Sequence, residues 1–245
     1  TLRSQAMLGK GDLLCPSPTS LVAGLSVYPT LDNREPLVDQ QTWLYIVRSS
    51  DGGYRWRIVF QQMEGSLYSL AYSPSVPDYM YGVAYGYYGG NQVLRSTNGG
   101  ADWVSLPSGT PYSMNVVVVS PVQPWTIFIG CRNGDVLRSN DGGGTIGPPI
   151  GNVGSQVDYM VIDPAQPSIM YAGTPDGVFK SLDEGRTWFL ASVGMTYQDV
   201  QDLVIDPTQP SCLWVATKGP EGQGHVYFTA DGAFGWTESG RALPD

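Results

Sequence analysis

Apolar residues fall in short blocks along this chain, separated by polar, Gly-rich and Pro-rich punctuation. Val116–Val119, Met160–Ile162 and Leu203–Ile205 are nearly continuous apolar runs, the pattern of a short strand covered on both faces. Each is followed by a turn and a second run, at Ile127–Ile129, Met170–Ala172 and Leu213–Val215. Third runs end in a cation, as in Val93–Arg95, Val136–Arg138 and Val178–Lys180. Fourth runs open on Trp, as in Trp103–Leu106 and Trp188–Ala191. The pattern therefore predicts four antiparallel strands in every period of 42 to 48 residues.

The turn between the third and fourth runs repeats by sequence. Its copies are SSDGGYRW at 49–56, STNGGADW at 96–103, SNDGGGTI at 139–146, SLDEGRTW at 181–188 and TADGAFGW at 229–236. Asp51, Asn98, Asp141, Asp183 and Asp231 step by 47, 43, 42 and 48 residues. The chemistry is that of a hairpin tip. An Asp or Asn side chain accepts from backbone N–H groups just ahead of it. Gly supplies a backbone conformation that a Cβ opposes. Ser or Thr holds the other limb, and Trp is an apolar plug beneath. A second signature precedes each tip: SPVQPWTIFIG at 120–130, DPAQPSIMYAG at 163–173 and DPTQPSCLWVA at 206–216, with SPSVPDYMYGV at 73–83 as a looser copy. Its leading prolines are expected at Pro29, Pro74, Pro121, Pro164 and Pro207.

The [S/T]-x-[D/N]-x-G-x-x-W tip resembles the Asp-box, or BNR, repeat of β-propellers, over residues 20–245. That group includes sialidases, sortilin-type receptors, xyloglucan-cleaving glycosidases and photosystem II assembly factors. The resemblance implies an all-β single propeller of about five four-stranded blades. Ile146 stands in place of Trp and Ala233 in place of Gly, so distortion is expected in the third and fifth tips. Leu2-Arg3-Ser4 matches the end of a third strand without a tip after it. Residues 1–20 are therefore expected to form a closing or partner-pairing segment with an orphan hairpin, and 21–245 the propeller. The orphan is expected to act as half a sixth blade or to pair with another chain, making a homo-oligomer through residues 1–15.

Composition narrows the function classes. The net charge of −9 argues against nucleic acid, which needs a basic footprint. No apolar run reaches the roughly 18 residues of a membrane-spanning helix. Cys15, Cys131 and Cys212 form no C-x-x-C pair, and His225 is the single histidine, so no metal site and no cofactor are expected. The absence of a signal peptide points to a mature or trimmed form. Few lysines with many Tyr, Ser and Gly suit an extracytoplasmic setting: secreted, periplasmic or lumenal.

In a four-stranded meander the 1–2 and 3–4 turns share one face, and both repeat closely from blade to blade. They are expected to be structural. Arg48, Arg95, Arg138 and Lys180, one before each of four tips, are expected to meet a neighbouring blade. The other face carries irregular loops, where sites concentrate. Six residues before each leading proline stand Tyr68, Asn115, Asp158 and Gln201, with Asp199 and Asp202 adjacent. Tyr85, Tyr87, Tyr88, Tyr112 and Tyr197 complete the candidate ligand rim. Carboxylates beside flat aromatics suit a sugar or a cation-bearing peptide. The leading expectation is a non-catalytic module binding a protein or glycan partner. Plain solvation of the rim is the structural alternative. The enzymatic one is glycoside hydrolysis with Asp158 and Asp202 or Asp199 as the carboxylate pair. A structural subunit of an extracellular assembly is the third.

Overall fold

The computed structural model describes residues 7–8, 13–28, 42–86 and 90–239. It is all-β, and its strands form five sheets. The first contains β1 (Met7–Leu8), β2 (Leu13–Ser17), β3 (Ser20–Tyr28), β4 (Trp43–Ser49) and β5 (Arg57–Met63). The second contains β6 (Gly65–Tyr72), β7 (Met80–Gly86), β8 (Gly90–Ser96) and β9 (Val104–Pro107). The third has β10 (Met114–Val119), β11 (Ile127–Cys131), β12 (Asp135–Ser139) and β13 (Gly151–Asn152). The fourth has β14 (Tyr159–Ile162), β15 (Met170–Thr174), β16 (Gly177–Ser181) and β17 (Phe189–Leu190). The fifth has β18 (Asp199–Ile205), β19 (Leu213–Lys218), β20 (Gly224–Thr229) and β21 (Thr237–Glu238). Every pairing is antiparallel between strands adjacent in the sheet order. This is a single five-bladed propeller with an N-terminal hairpin, β2–β3. The inner strands β2, β6, β10, β14 and β18 surround a cavity of about 360 Å³, lined by Leu14, Tyr72, Val118, Ile162 and Ile205 and by the turn prolines.

One lattice of bonds recurs at each tip. The Ser181 hydroxyl donates to Asp183 Oδ1 at 2.8 Å and accepts the Gly185 N–H at 2.9 Å. Asp183 Oδ1 in turn accepts the N–H groups of Arg186 and Thr187. Ser49, Ser96, Ser139 and Thr229 repeat the arrangement with Asp51, Asn98, Asp141 and Asp231. The third and fifth tips keep these polar bonds. Ala233 adopts φ 68° where Gly stands elsewhere, and the Trp236 indole bonds to Ala191 O rather than to its own tip. The expected distortion is thus confined to these two features. Each tip also donates to the 1–2 turn of its own sheet: Gly52 to Thr19 O, Gly99 to Asp78 O, Gly142 to Trp125 O, Glu184 to Ser168 O and Gly232 to Ser211 O.

The core lies between sheets. Its four buried clusters sit at the junctions of sheets 1–2, 2–3, 3–4 and 4–5. The recurrent cations span these junctions. Arg48 Nε donates to Gly99 O at 2.8 Å, and one Arg95 nitrogen donates to Asp141 O and Gly142 O. Arg138 pairs with Glu184 at 2.8 Å, and Lys180 Nζ donates to Gly232 O at 2.7 Å. Burial pushes the Lys180 ammonium below its ordinary range. The fifth sheet has Phe228 at this position, stacked on Trp214. Among the described residues, no buried cluster joins the fifth sheet to the first. Trp214 is 38% exposed, whereas its equivalents Val22, Tyr81, Phe128 and Tyr171 are at most 3% exposed.

Two details differ from the sequence pattern. The first sheet's 1–2 turn is Ser17-Pro18-Thr19-Ser20, with the Ser20 N–H given to the Ser17 hydroxyl at 3.1 Å. The same bond closes the turns at Ser73, Ser120, Asp163 and Asp206. The leading proline is therefore Pro18, and Tyr28 ends the second strand; Pro29 lies outside the described residues. The N-terminal segment pairs with β3 and supplies the innermost strand of the first sheet rather than half a sixth blade. Covering that edge removes an unpaired row of backbone groups. Also, Gln61–Leu67 is not a loop. Glu64 alone connects β5 to β6, at φ 54°.

Two predictions follow from these bonds. The Thr187 N–H, then its hydroxyl, then the Ser181 hydroxyl hold the Asp183 carboxyl down at about 2. Asp51, Asp141 and Asp231 are lowered likewise. A depressed native pKa gives stability that is present above the ordinary 3.8 and is lost as pH falls toward 2. Melting temperature should drop through that window, and Asp183→Asn, which keeps the acceptor, should flatten the drop. An identical pH profile for the variant would refute this role. For the cation, Lys180→Ala should cost about 2 kcal/mol in denaturant unfolding, and Lys180→Arg much less. A cost inside the roughly 0.5 kcal/mol of neutral surface changes would show that the strut is idle.

Candidate functional site

The lattice above engages the backbone of the face that carries the tips. The opposite face holds the 2–3 and 4–1 connections, which share no common lattice. Here the expected rim residues occupy one structural level. Register shifts in the first strands fall between Leu67 and Ser69, Met114 and Val116, and Val200 and Asp202. Tyr68, Asn115 and Gln201 are the residues inserted at these bulges, which re-aim their side chains. Asp158 stands at the same level in the fourth sheet, with its N–H given to Gly173 O at 3.0 Å.

The side chains form local ties at this level. Asn115 is buried, and its amide donates to Val157 O at 2.9 Å and to Asp158 Oδ1 at 2.8 Å. Gln156 donates to the same Asp158 oxygen at 2.8 Å. The Arg132 guanidinium lies 5.0 Å from the centre of the Tyr68 ring. Gln201 donates to Asp199 Oδ1 at 2.9 Å, while Asp202 Oδ1 accepts the Leu203 N–H at 2.8 Å. Asp158 thus belongs to the junction of sheets 3 and 4, and Asp199 and Asp202 to β18. Tyr112 packs on the cluster between sheets 2 and 3, a framework role. Tyr85 is 44% exposed on β7, and Tyr87 and Tyr88 lie outside the described residues.

The open space on this face lies between sheets 4 and 5. A cavity of about 570 Å³ is lined by Pro175, Thr196, Tyr197, Asp199, Lys218 and Gly219, among others. Tyr197 receives a bond from the Tyr227 hydroxyl side, its N–H donating to that oxygen at 3.2 Å. Its ring stacks on His225, with centroids 4.1 Å apart. His225 Nδ1 lies 2.6 Å from Glu238 Oε1. Sequence reasoning included Tyr197 and Asp199 but assigned no role to His225, Thr217 or Lys218. The available signal was one histidine in a Gly-flanked third strand. Among the described residues no group of His, Cys, Asp or Glu is arranged to hold a metal ion. No helix is long and apolar enough to cross a membrane.

Comparison with known proteins places the fold. No protein-family model matches the chain, and no curated protein sequence does. Among solved structures, a GH74 enzyme from Niastella koreensis superposes with a TM-score of 0.67 at 20% identity, over 94% of this chain and 38% of that one. An ancestral GH74 enzyme gives 0.64 at 16% identity, over 96% of this chain and 31% of that one. YCF48 from Cyanidioschyzon merolae gives 0.55 at 15% identity, over 98% and 87%. The chain thus spans under two-fifths of the GH74 enzymes named here. At such identities the likeness is one of fold, and the fold is a propeller.

Proposed function

We propose that this chain is a non-catalytic binding module that presents its irregular face to a protein or glycan partner. One observation carries the reading. The irregular face combines the 570 Å³ cavity with an aromatic wall at Tyr197, while the tip face is committed to structural bonds. Concave sites with a few convergent polar groups are the usual seats of ligands. We also assign the tips to the Asp-box repeat, because each keeps the hydroxyl–carboxylate or hydroxyl–amide bond that its sequence pattern anticipates. An extracytoplasmic setting goes with this reading and rests on composition. Pairing of residues 13–17 inside the first sheet argues against their donation to a second copy.

The hydrolytic reading has one observation in its favour, the fold shared with GH74 enzymes. Against it, Asp158 is tied to Asn115 and Gln156 as a strut between sheets. Fold likeness alone carries little weight for chemistry.

The test uses the intact chain against immobilised polysaccharides and against a stoichiometric protein partner from its native source. Hydrogen exchange then maps the contact. Protection should appear on the irregular face, and Tyr85→Ala should weaken retention several-fold with little change in melting temperature. Protection confined to the tip face would refute the reading. Turnover of a polysaccharide that Asp158→Asn abolishes would replace it with hydrolysis.

A further inference from the structure

Two orphaned polar atoms mark a corner beside the cavity. His225 is 8% exposed, and its Nε2 is buried without a hydrogen-bond partner. Thr217 pairs with His225 across β19 and β20, and its buried hydroxyl also has no partner. Such atoms are rare in native folds, and each costs about 1–3 kcal/mol. Two on one cross-strand pair point to a missing polar group. Nε2 is within reach of the cavity wall. A Cβ at Gly219, which lines the cavity, would stand 3.3 Å from it. The glycine leaves open the space that a side chain would fill.

We propose that this corner seats one uncharged, hydroxyl-bearing ring of pyranose size. The inference rests on the binding reading and narrows its partner to a neutral glycan. The short contact to the Glu238 carboxylate places the imidazole proton on Nδ1 and leaves Nε2 as an acceptor. A ligand hydroxyl donates to it, and the Thr217 hydroxyl can take a second bond. Tyr197 has one face held against the imidazole, so its ring is a pre-set platform for the apolar side of a sugar. Asp199 and Lys218 are partners across β18 and β19 and line the same cavity. Together they offer an acceptor and a donor to neighbouring hydroxyls. Their opposite charges balance, which favours a neutral ligand over an anion or a cation. The cavity volume lies within the roughly 300–1,000 Å³ of small-molecule sites.

His225 is the only histidine, so its imidazole nitrogens give a spectrum of a single residue. The intact chain is titrated with neutral cello-, xylo-, manno- and galacto-oligosaccharides while those signals are followed by NMR. At least one sugar should shift Nε2 saturably. Gly219→Ala should weaken that sugar at least tenfold without lowering the melting temperature, because it fills the space beside Nε2. Tyr197→Ala should weaken it similarly, and Tyr197→Phe should not. Silence of His225 toward every sugar, up to the solubility limit, overturns the inference and leaves a bound water as the partner of Nε2. If the chain is then still retained on polysaccharide or protein through Tyr85, the binding reading stands without this seat. Binding that Gly219→Ala leaves unchanged likewise overturns it.

Discussion

The fold depends on how a tight turn satisfies its own backbone. Each tip places two successive residues in the left-handed region: Gly52 and Gly53, Gly99 and Gly100, Gly142 and Gly143, Glu184 and Gly185, Gly232 and Ala233. That curvature points several N–H groups inward with no strand partner. One hydroxyl and one carboxylate or amide oxygen accept them. The same curvature turns carbonyl groups outward, where the preceding sheet meets them. Gly99 O receives Arg48, Gly142 O receives Arg95 and Gly232 O receives Lys180. Glu184 replaces the carbonyl with its carboxylate and receives Arg138. A local solution to turn geometry thus becomes the connection between sheets. Strand pairing alone would give five separate meanders.

The series also explains why the two ends of the molecule differ from its middle. A Cβ on Gly100, Gly143 or Gly185 would meet the preceding sheet at Val22, Val93 or Val136. At Gly53 it would meet only Leu21 and Trp56 of its own sheet. Trp56 is accordingly 43% exposed, whereas Trp103 is 8% exposed. At the other end Phe228 takes the cation's place and offers no donor. The first tip and the last sheet lack the complementary halves of the strut.

Much of this was legible because the information is local. The Ser, Asp and Gly of a tip act on one another within four residues, so their chemistry survives as a readable string. The cations were legible because one position repeats at a fixed offset from that string. Register was harder where the repeat length changes. The first 2–3 connection spans the residues between Tyr28 and Trp43, and this pushes Pro18 to 56 residues before Pro74. Tyr28-Pro29 happens to fall 45 residues before Pro74 and imitates the true turn. Counting back from the prolines still found the inner rim, because the bulge keeps a constant distance from the turn. What those rim residues do was not legible. Asn115 and Asp158 are 43 residues apart in sequence, and their bond exists only once two sheets are packed.

The same distinction accounts for the corner at His225. A histidine between Gly224 and Val226 reads as an ordinary strand residue. Its character comes from four other segments: Glu238 on the outer strand, Thr217 across the ladder, Tyr197 in the 4–1 connection and Gly219 in the 2–3 connection. None of these is encoded by a repeat, and none has a counterpart with the same residues in the other sheets. The tip face must be uniform, because each tip has to fit the sheet before it. The opposite face carries no such requirement, so its connections vary from two residues at Pro175-Asp176 to the longer span between Lys218 and Gly224. Freedom from the strut allows a buried imidazole with an unused nitrogen to persist beside an open cavity. A chemically specific site in this architecture is therefore expected where the repeat is least regular.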